Sequence, residues 1–172
     1  GGGPFIDWGV YDLAFHIGIL NRRPELLNFR SYFYNGLDSI SREKDFSVEE
    51  HAIAMMEFDN LNYYYERSTN AHNYSKNETR IYSSKMGLKF NYLFAEDNKV
   101  QIFRNSSDGV YSEEEVEVSA VNYNGYESDY FEMDKEFINC LSKKCKPKLK
   151  LFESLKNLDL LLNIYNKENI KF

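Results

Sequence analysis

The chain has 172 residues, a net charge of −6 and a pI near 5.2. That length suits one domain with a sizeable core, and an apolar content of 42% places it among ordered globular proteins. The acidic balance argues against general nucleic-acid binding, which needs basic groups to displace phosphate counterions. No stretch approaches the ~20 apolar residues of a membrane-spanning helix.

Gly1-Gly2-Gly3-Pro4 reads as a cloning remnant, leaving 5–172 as a single α+β domain. From Tyr11 to Leu20, Leu13, Phe15, Ile17 and Ile19 alternate with other residues, the period-2 pattern of a half-buried strand. After the Pro24 turn, Leu26 to Tyr34 reads as a second strand. Asn35-Gly36 supplies a hairpin turn into a short strand at Leu37–Ile40. Ser47 and Glu50 match a capping box, and Val48, Ala52, Ile53, Met55, Met56 and Tyr63 continue at mostly helical spacing to about Glu66. A meander follows, with strands expected at Gly87–Phe94, Lys99–Arg104, Glu114–Tyr123 and Tyr126–Met133. Asp134 caps a short helix to about Ser142. A last helix from about Lys148 to Asn166 carries an apolar stripe of Phe152, Leu155, Leu158, Leu162 and Tyr165, widened by Leu151 and Leu161. The expected fold class is α+β: an antiparallel meander sheet with helices on one face.

Charge is distributed unevenly. From Asp108 to Glu136 there are ten carboxylates against one basic residue, Lys135, so this segment alone carries −9. If Glu114–Tyr123 is a strand with Val116 and Val118 facing the core, Glu113, Glu115 and Glu117 form a solvent-side row about 7 Å apart. The expected partner strand adds Tyr126, Glu127, Asp129 and Tyr130, with Tyr123 and Tyr126 flanking the Asn124-Gly125 turn. A row of one sign repels itself, and interleaved tyrosines are common interface anchors, so this hairpin is the candidate surface for a basic partner. A flat row splays its carboxylates, which disfavours a hard cation, and no metal site or cofactor is expected.

Catalytic motifs are sparse. There is no HExxH, no Gly-rich phosphate loop and no G-x-S-x-G elbow. Arg67 and His72 have the Arg-x4-His spacing of HEPN-type ribonucleases, which makes His72, or His51, the acid/base of an alternative hydrolase reading. Asp97-Asn98-Lys99 matches a D/E-x-K nuclease triplet at a tight turn without an upstream Asp. Lys143 and Lys144 suit a helix C-terminus. In a third reading, the basic Lys143–Lys150 segment of one subunit meets the acidic hairpin of another. Cys140 and Cys145, five apart and without a nearby His, are expected as free thiols in a reducing compartment.

The whole-chain profile, including "YDLAFHIGILNRRPELLNFRSYFYNG" and "HAIAMMEFDNLNYYY", resembles the immunity proteins of bacterial polymorphic-toxin and contact-dependent inhibition systems. The resemblance rests on style and on no motif. It implies a non-catalytic cytoplasmic protein that covers the active site of a cognate, basic, nuclease-type toxin with the acidic hairpin.

Overall fold

A computed structural model describes residues 2–32, 48–69, 77–91, 99–105, 109, 111–117, 126–148 and 150–167, with backbone alone at 111 and 126–129. The order of elements is α1 (Pro4–Leu20), β1 (Glu25–Tyr32), β2 (His51–Phe58), β3 (Leu61–Ser68), β4 (Thr79–Tyr82), β5 (Gly87–Phe90), β6 (Lys99–Asn105), β7 (Tyr111–Glu117), α2 (Tyr126–Lys143) and α3 (Leu151–Lys167). The class is α+β with two antiparallel sheets, β1-β2-β3 and β4-β5-β6-β7. Where the sequence reading had one domain over 5–172, the chain packs as two compact units, 1–72 with 149–172, and 73–148.

In the first unit α1 and α3 pack together, and α1 also lies on the β1-β2-β3 sheet. Ala52, Ala54, Met56 and Phe58 of β2 are all buried, alternating with residues on the other face. With Phe29 of β1 and Tyr65 of β3 they present one apolar face to the helices. Phe5 and Leu13 of α1 and Leu161, Ile164 and Tyr165 of α3 complete the core. Phe5 sits at its centre, with ring centroids 4.9 Å from Phe29, 5.1 Å from Tyr65 and 5.9 Å from Tyr165. Gly9 lets the two helices approach closely, because a Cβ there would stand 3.1 Å from Leu161 Cδ2.

Helix α1 starts on a buried carboxylate. Glu49, at the entry to β2, accepts the Phe5 amide hydrogen bond (3.1 Å) and the Tyr165 hydroxyl through Oε1. An anion there satisfies an orphan amide and complements the helix dipole. Gly3, the N-cap, is packed so closely that a Cβ on it would overlap the Glu49 carboxylate. Gly3 and Pro4 are thus buried parts of the fold, where the sequence reading set them aside as a cloning remnant. Burial and the Glu49 hydrogen bond push the Tyr165 hydroxyl above its ordinary pKa, so it stays a donor.

Three sequence expectations are corrected here. The stretch read as a strand over Tyr11–Leu20 is helix α1: its apolar residues occur on every side, so alternation and helical spacing both fit them. The region read as a helix over 47–66 is the β2–β3 hairpin, closed by Asp59-Asn60 with Asp59 at φ 51°. The strand expected at Tyr126–Met133 is the first half of α2. Asn35-Gly36, Leu37–Ile40 and the Ser47 cap lie outside the described residues. The strands β1, β5 and β6 and the last helix stand close to where they were read.

In the second unit β4 to β7 form a meander, each strand pairing with the next; β5 and β6 were expected, β7 starts three residues before the strand expected at Glu114–Tyr123, and β4 was not expected. Helix α2 ends at Lys143, with Lys144 in the left-handed region at φ 52°, as its basic end suggested. Cys140 and Cys145 are free thiols with Sγ atoms 2.9 Å apart; Cys145 hydrogen-bonds Cys140 and raises its pKa to about 11. No described helix is long and apolar enough to cross a membrane.

The expected stripe of α3 is rotated in the fold: Leu161 is 0% exposed, whereas Leu155 is 51% exposed. Leu161→Ala should therefore lower stability by about 2–5 kcal/mol, while Leu155→Ala stays within about 0.5 kcal/mol. Equilibrium urea unfolding of both variants, followed by Trp8 fluorescence, checks this. Equal losses would mean that the helix packs by its other face.

Candidate functional site

Helix α1 is apolar almost all round, yet only one side is packed. Its turns place Asp12 and Leu13 inward while Asp7, Trp8, Tyr11 and Ile19 reach solvent.

The boundary between the two sides is a buried polar cluster. Asp12, 1% exposed, receives a two-pronged ion pair from Arg67 of β3, with Nε–Oδ2 2.6 Å and Nη2–Oδ1 2.7 Å. It also accepts the Tyr65 hydroxyl at 2.5 Å. The fork of a guanidinium matches both carboxylate oxygens, which fixes its plane as well as its distance. Burial alone would lower the Arg67 pKa, but the Asp12 hydrogen bonds and charge raise it above the ordinary value. Burial and the Asp12 carboxylate likewise raise Tyr65. The Arg67 guanidinium carbon also lies over the Trp8 ring, 5.2 Å from its centroid. Trp8 is 36% exposed, so the cation paired with Asp12 also meets a partly accessible indole.

One turn further along α1, His16 Nδ1 meets the Tyr63 hydroxyl at 2.8 Å. Burial pushes the His16 imidazole below its ordinary pKa, partly offset by the nearby Asp12 carboxylate. The assembled groups are a fixed cation, a carboxylate, two phenols, an imidazole and an exposed indole.

The sequence-predicted residues fall elsewhere. Glu113, Glu115 and Glu117 lie on β7, an edge strand, exposed and on one face as expected. Glu115 is held by Lys99 Nζ at 2.6 Å. Tyr126, Glu127, Asp129 and Tyr130 belong to α2, so the second strand of the acidic hairpin does not exist, and Tyr130 is an exposed helix residue. Tyr123 and His72 lie outside the described residues. His51 pairs with Glu66 (2.7 Å), and Arg67 is committed to Asp12. Among the described residues no cluster of His, Cys, Asp and Glu is arranged to hold a metal. The sequence reading missed Asp12, Tyr65 and Trp8. The one available signal was a lone Asp inside an apolar run, which in a helix demands a partner.

No protein-family profile matches the sequence, and no characterised protein matches it. Solved structures do share its fold. An oxidoreductase domain protein from Kribbella flavida is similar with a TM-score of 0.75 and 15% identity, over 98% of this chain and 48% of that one. A levoglucosan dehydrogenase in complex with NADH gives 0.66 and 14%, over 93% and 48%. A UDP-N-acetylglucosamine 3-dehydrogenase from Acidithiobacillus ferrooxidans gives 0.60 and 13%, over 90% and 43%. The chain therefore spans less than half the length of the proteins it resembles. At these identities the likeness is one of fold. It overturns the reading of a non-catalytic toxin inhibitor, with its ribonuclease and assembly-subunit alternatives: the fold recurs in oxidoreductases, and the hairpin meant to cover a toxin is half helix.

Two outcomes test the cluster. Arg67→Met should destabilise the first unit by about 3–5 kcal/mol, because Asp12 is left as a buried, uncompensated charge. Adding Asp12→Asn should restore much of the loss in chemical denaturation; no restoration would mean that Arg67 acts through packing alone. For His16, the folded state binds its proton less readily than the unfolded chain. Stability from this group is thus full above the unfolded pKa, near 6.5, and falls as pH drops through the depressed folded value. His16→Gln should flatten the acid side of the stability–pH curve relative to the native chain; identical curves would show that His16 titrates freely.

Proposed function

We propose that this chain is the substrate-side half of a two-part, nicotinamide-dependent dehydrogenase acting on a sugar-type polyol. The observation that carries the reading is a mismatch. Nearly all of this chain aligns with about half of each oxidoreductase, yet every described strand pairing is antiparallel.

A doubly wound dinucleotide site needs parallel strands, a Gly-rich turn and a helix N-terminus at the pyrophosphate. The described residues contain no such unit, and the sequence contains no G-x-G-x-x-G. The residues present therefore do not fit the nicotinamide cofactor, and its site would lie in a half that this chain does not contain. What this chain supplies is the substrate wall: exposed Trp8 and Tyr11 to stack on the apolar face of a sugar ring, and Asp7 to accept its hydroxyls. Arg67, held rigidly by Asp12, keeps the Trp8 indole in place from beneath. Two of the three similar structures are named for carbohydrate substrates, which supports that substrate class.

Trp8 is the chain's single tryptophan, so its emission reports on this surface alone. Titrating the chain with NADH should produce no saturable energy transfer from Trp8. Hexoses and anhydrohexoses should quench or shift the emission saturably, and Tyr11→Ala should weaken that response. Stoichiometric NADH binding by the chain alone would defeat the half assignment. Silence towards every sugar would defeat the substrate class.

A further inference from the structure

The end of helix α2 brings the chain's only two cysteines together in two separate ways. Cys140 lies in the last turn of the helix, and Cys145 stands just past its end at Lys143. Lys144 between them takes the left-handed conformation at φ 52°, which turns the chain back on itself. The Cys145 amide then donates to the Cys140 carbonyl at 3.1 Å, closing the helix end through the backbone. The two thiols share a hydrogen bond of their own, with the Sγ atoms 2.9 Å apart. One turn before Cys140, Glu136 accepts the Lys148 amide at 2.7 Å, so the segment after the helix returns along its last turns.

The pair is accessible. Cys145 is exposed and Cys140 half-buried, and neither belongs to the apolar core. Lys143, Lys144 and Lys146, all exposed, flank Cys145 and give it a positively charged approach in a chain whose net charge is −6. Structural zinc takes about four ligands. Among the described residues no group of three His, Cys, Asp or Glu side chains is placed to hold a metal, so the dithiol stands as a pair.

We propose that Cys140 and Cys145 form a reversible thiol-modification site that exchanges with small anionic disulfides, the chemistry of glutathione disulfide. The Cys145 thiolate attacks one sulfur of the small disulfide and breaks its S–S bond. The departing thiolate takes up a proton, and Cys145 is left in a mixed disulfide. Cys140, deprotonated, then attacks Cys145 Sγ and expels the second small thiolate, which is protonated in turn. One small disulfide is thereby reduced to two thiols, and the two protein thiols are oxidised to one bridge. The Cys145 hydrogen bond and the Cys145 charge both help to hold the Cys140 thiol up at about 11. Both are lost once Cys145 carries a sulfur substituent, which favours the second attack. The bridge ties the last turn of α2 covalently to the chain beyond Lys144, and an excess of small thiol reverses it. The site lies within the second unit and is independent of the dehydrogenase reading.

The test is incubation of the whole, reduced chain in glutathione redox buffers, followed by acid quench, alkylation and intact mass measurement. The native chain should lose both thiols together and retain no glutathione. Cys140→Ser should stop as a glutathione adduct on Cys145, and Cys145→Ser should react at least about tenfold more slowly than the native chain. The bridge should be favoured at least about tenfold in the folded chain over the same chain in urea, because the fold supplies the proximity. Oxidation should also slow hydrogen exchange of the Cys145 amide at least about tenfold. A native chain that stays as a glutathione adduct, disulfides formed between chains, or a bridge no more favoured when folded than in urea would each overturn the proposal. Exchange of the Cys145 amide that is unchanged by oxidation would overturn it too.

Discussion

The contact between Asp12 and Arg67 sets the phase of the first unit. A carboxylate in the middle of an apolar helix has one low-energy orientation, towards the guanidinium waiting on β3, and every other α1 residue takes its position from that choice. With Asp12 inward, Phe5, Gly9 and Leu13 face the core and Trp8 and Tyr11 face out. Hydrophobicity alone could not decide this, because α1 is apolar on both sides. A buried ion pair adds less to stability than its geometry suggests, since both charges lose water. With the pair in place, Trp8 and Tyr11 stand on the exposed side of the helix.

The same ambiguity explains what the sequence hid. In "YDLAFHIGIL" apolar residues fill both the alternating positions and the helical ones, so periodicity cannot separate strand from helix. The deciding signal lies upstream: Pro4 at the first helical position and a carboxylate cap that arrives from Glu49, 44 residues away. Local reading cannot see such a cap. For β2–β3 the signal was present and outweighed: Ala52, Ala54, Met56 and Phe58 alternate cleanly, and Asp59-Asn60 makes a turn, but a match to a capping box drew the reading towards a helix. Strands β5 and β6 were legible because a polar stretch separates their apolar runs, whereas the four-residue β4 was not read at all. Asp12, Tyr65 and Trp8 were not, since their relation exists only once helix and hairpin meet.

Antiparallel pairing throughout the described sheets also bounds the chemistry. Among the described residues every strand pairs antiparallel with its neighbour, so none forms the parallel strand–helix–strand unit whose helix N-terminus holds a pyrophosphate. The two compact units present different surfaces: an aromatic helix over a fixed cation in the first, a strand face with opposed charges in the second.

On that second face the acidic row has basic neighbours within its own sheet. Register puts Arg80 and Lys89, Phe103, and Glu113 and Glu115 on the same side of one sheet, running from β4 to β7. Lys99 neutralises Glu115, while Glu113 and Glu117 at the far edge remain exposed to solvent. The face is thus graded from positive at the β4–β5 edge to negative at β7 within four strands, roughly 15 Å. Separations of this order exceed the Debye length at physiological salt, so each end keeps its own local potential. An anion close to the β7 edge is repelled and one close to Arg80 and Lys89 is attracted, each locally at physiological salt. The carboxylates that dominate the sequence thus line one edge of this face, and Arg80 and Lys89 line the other.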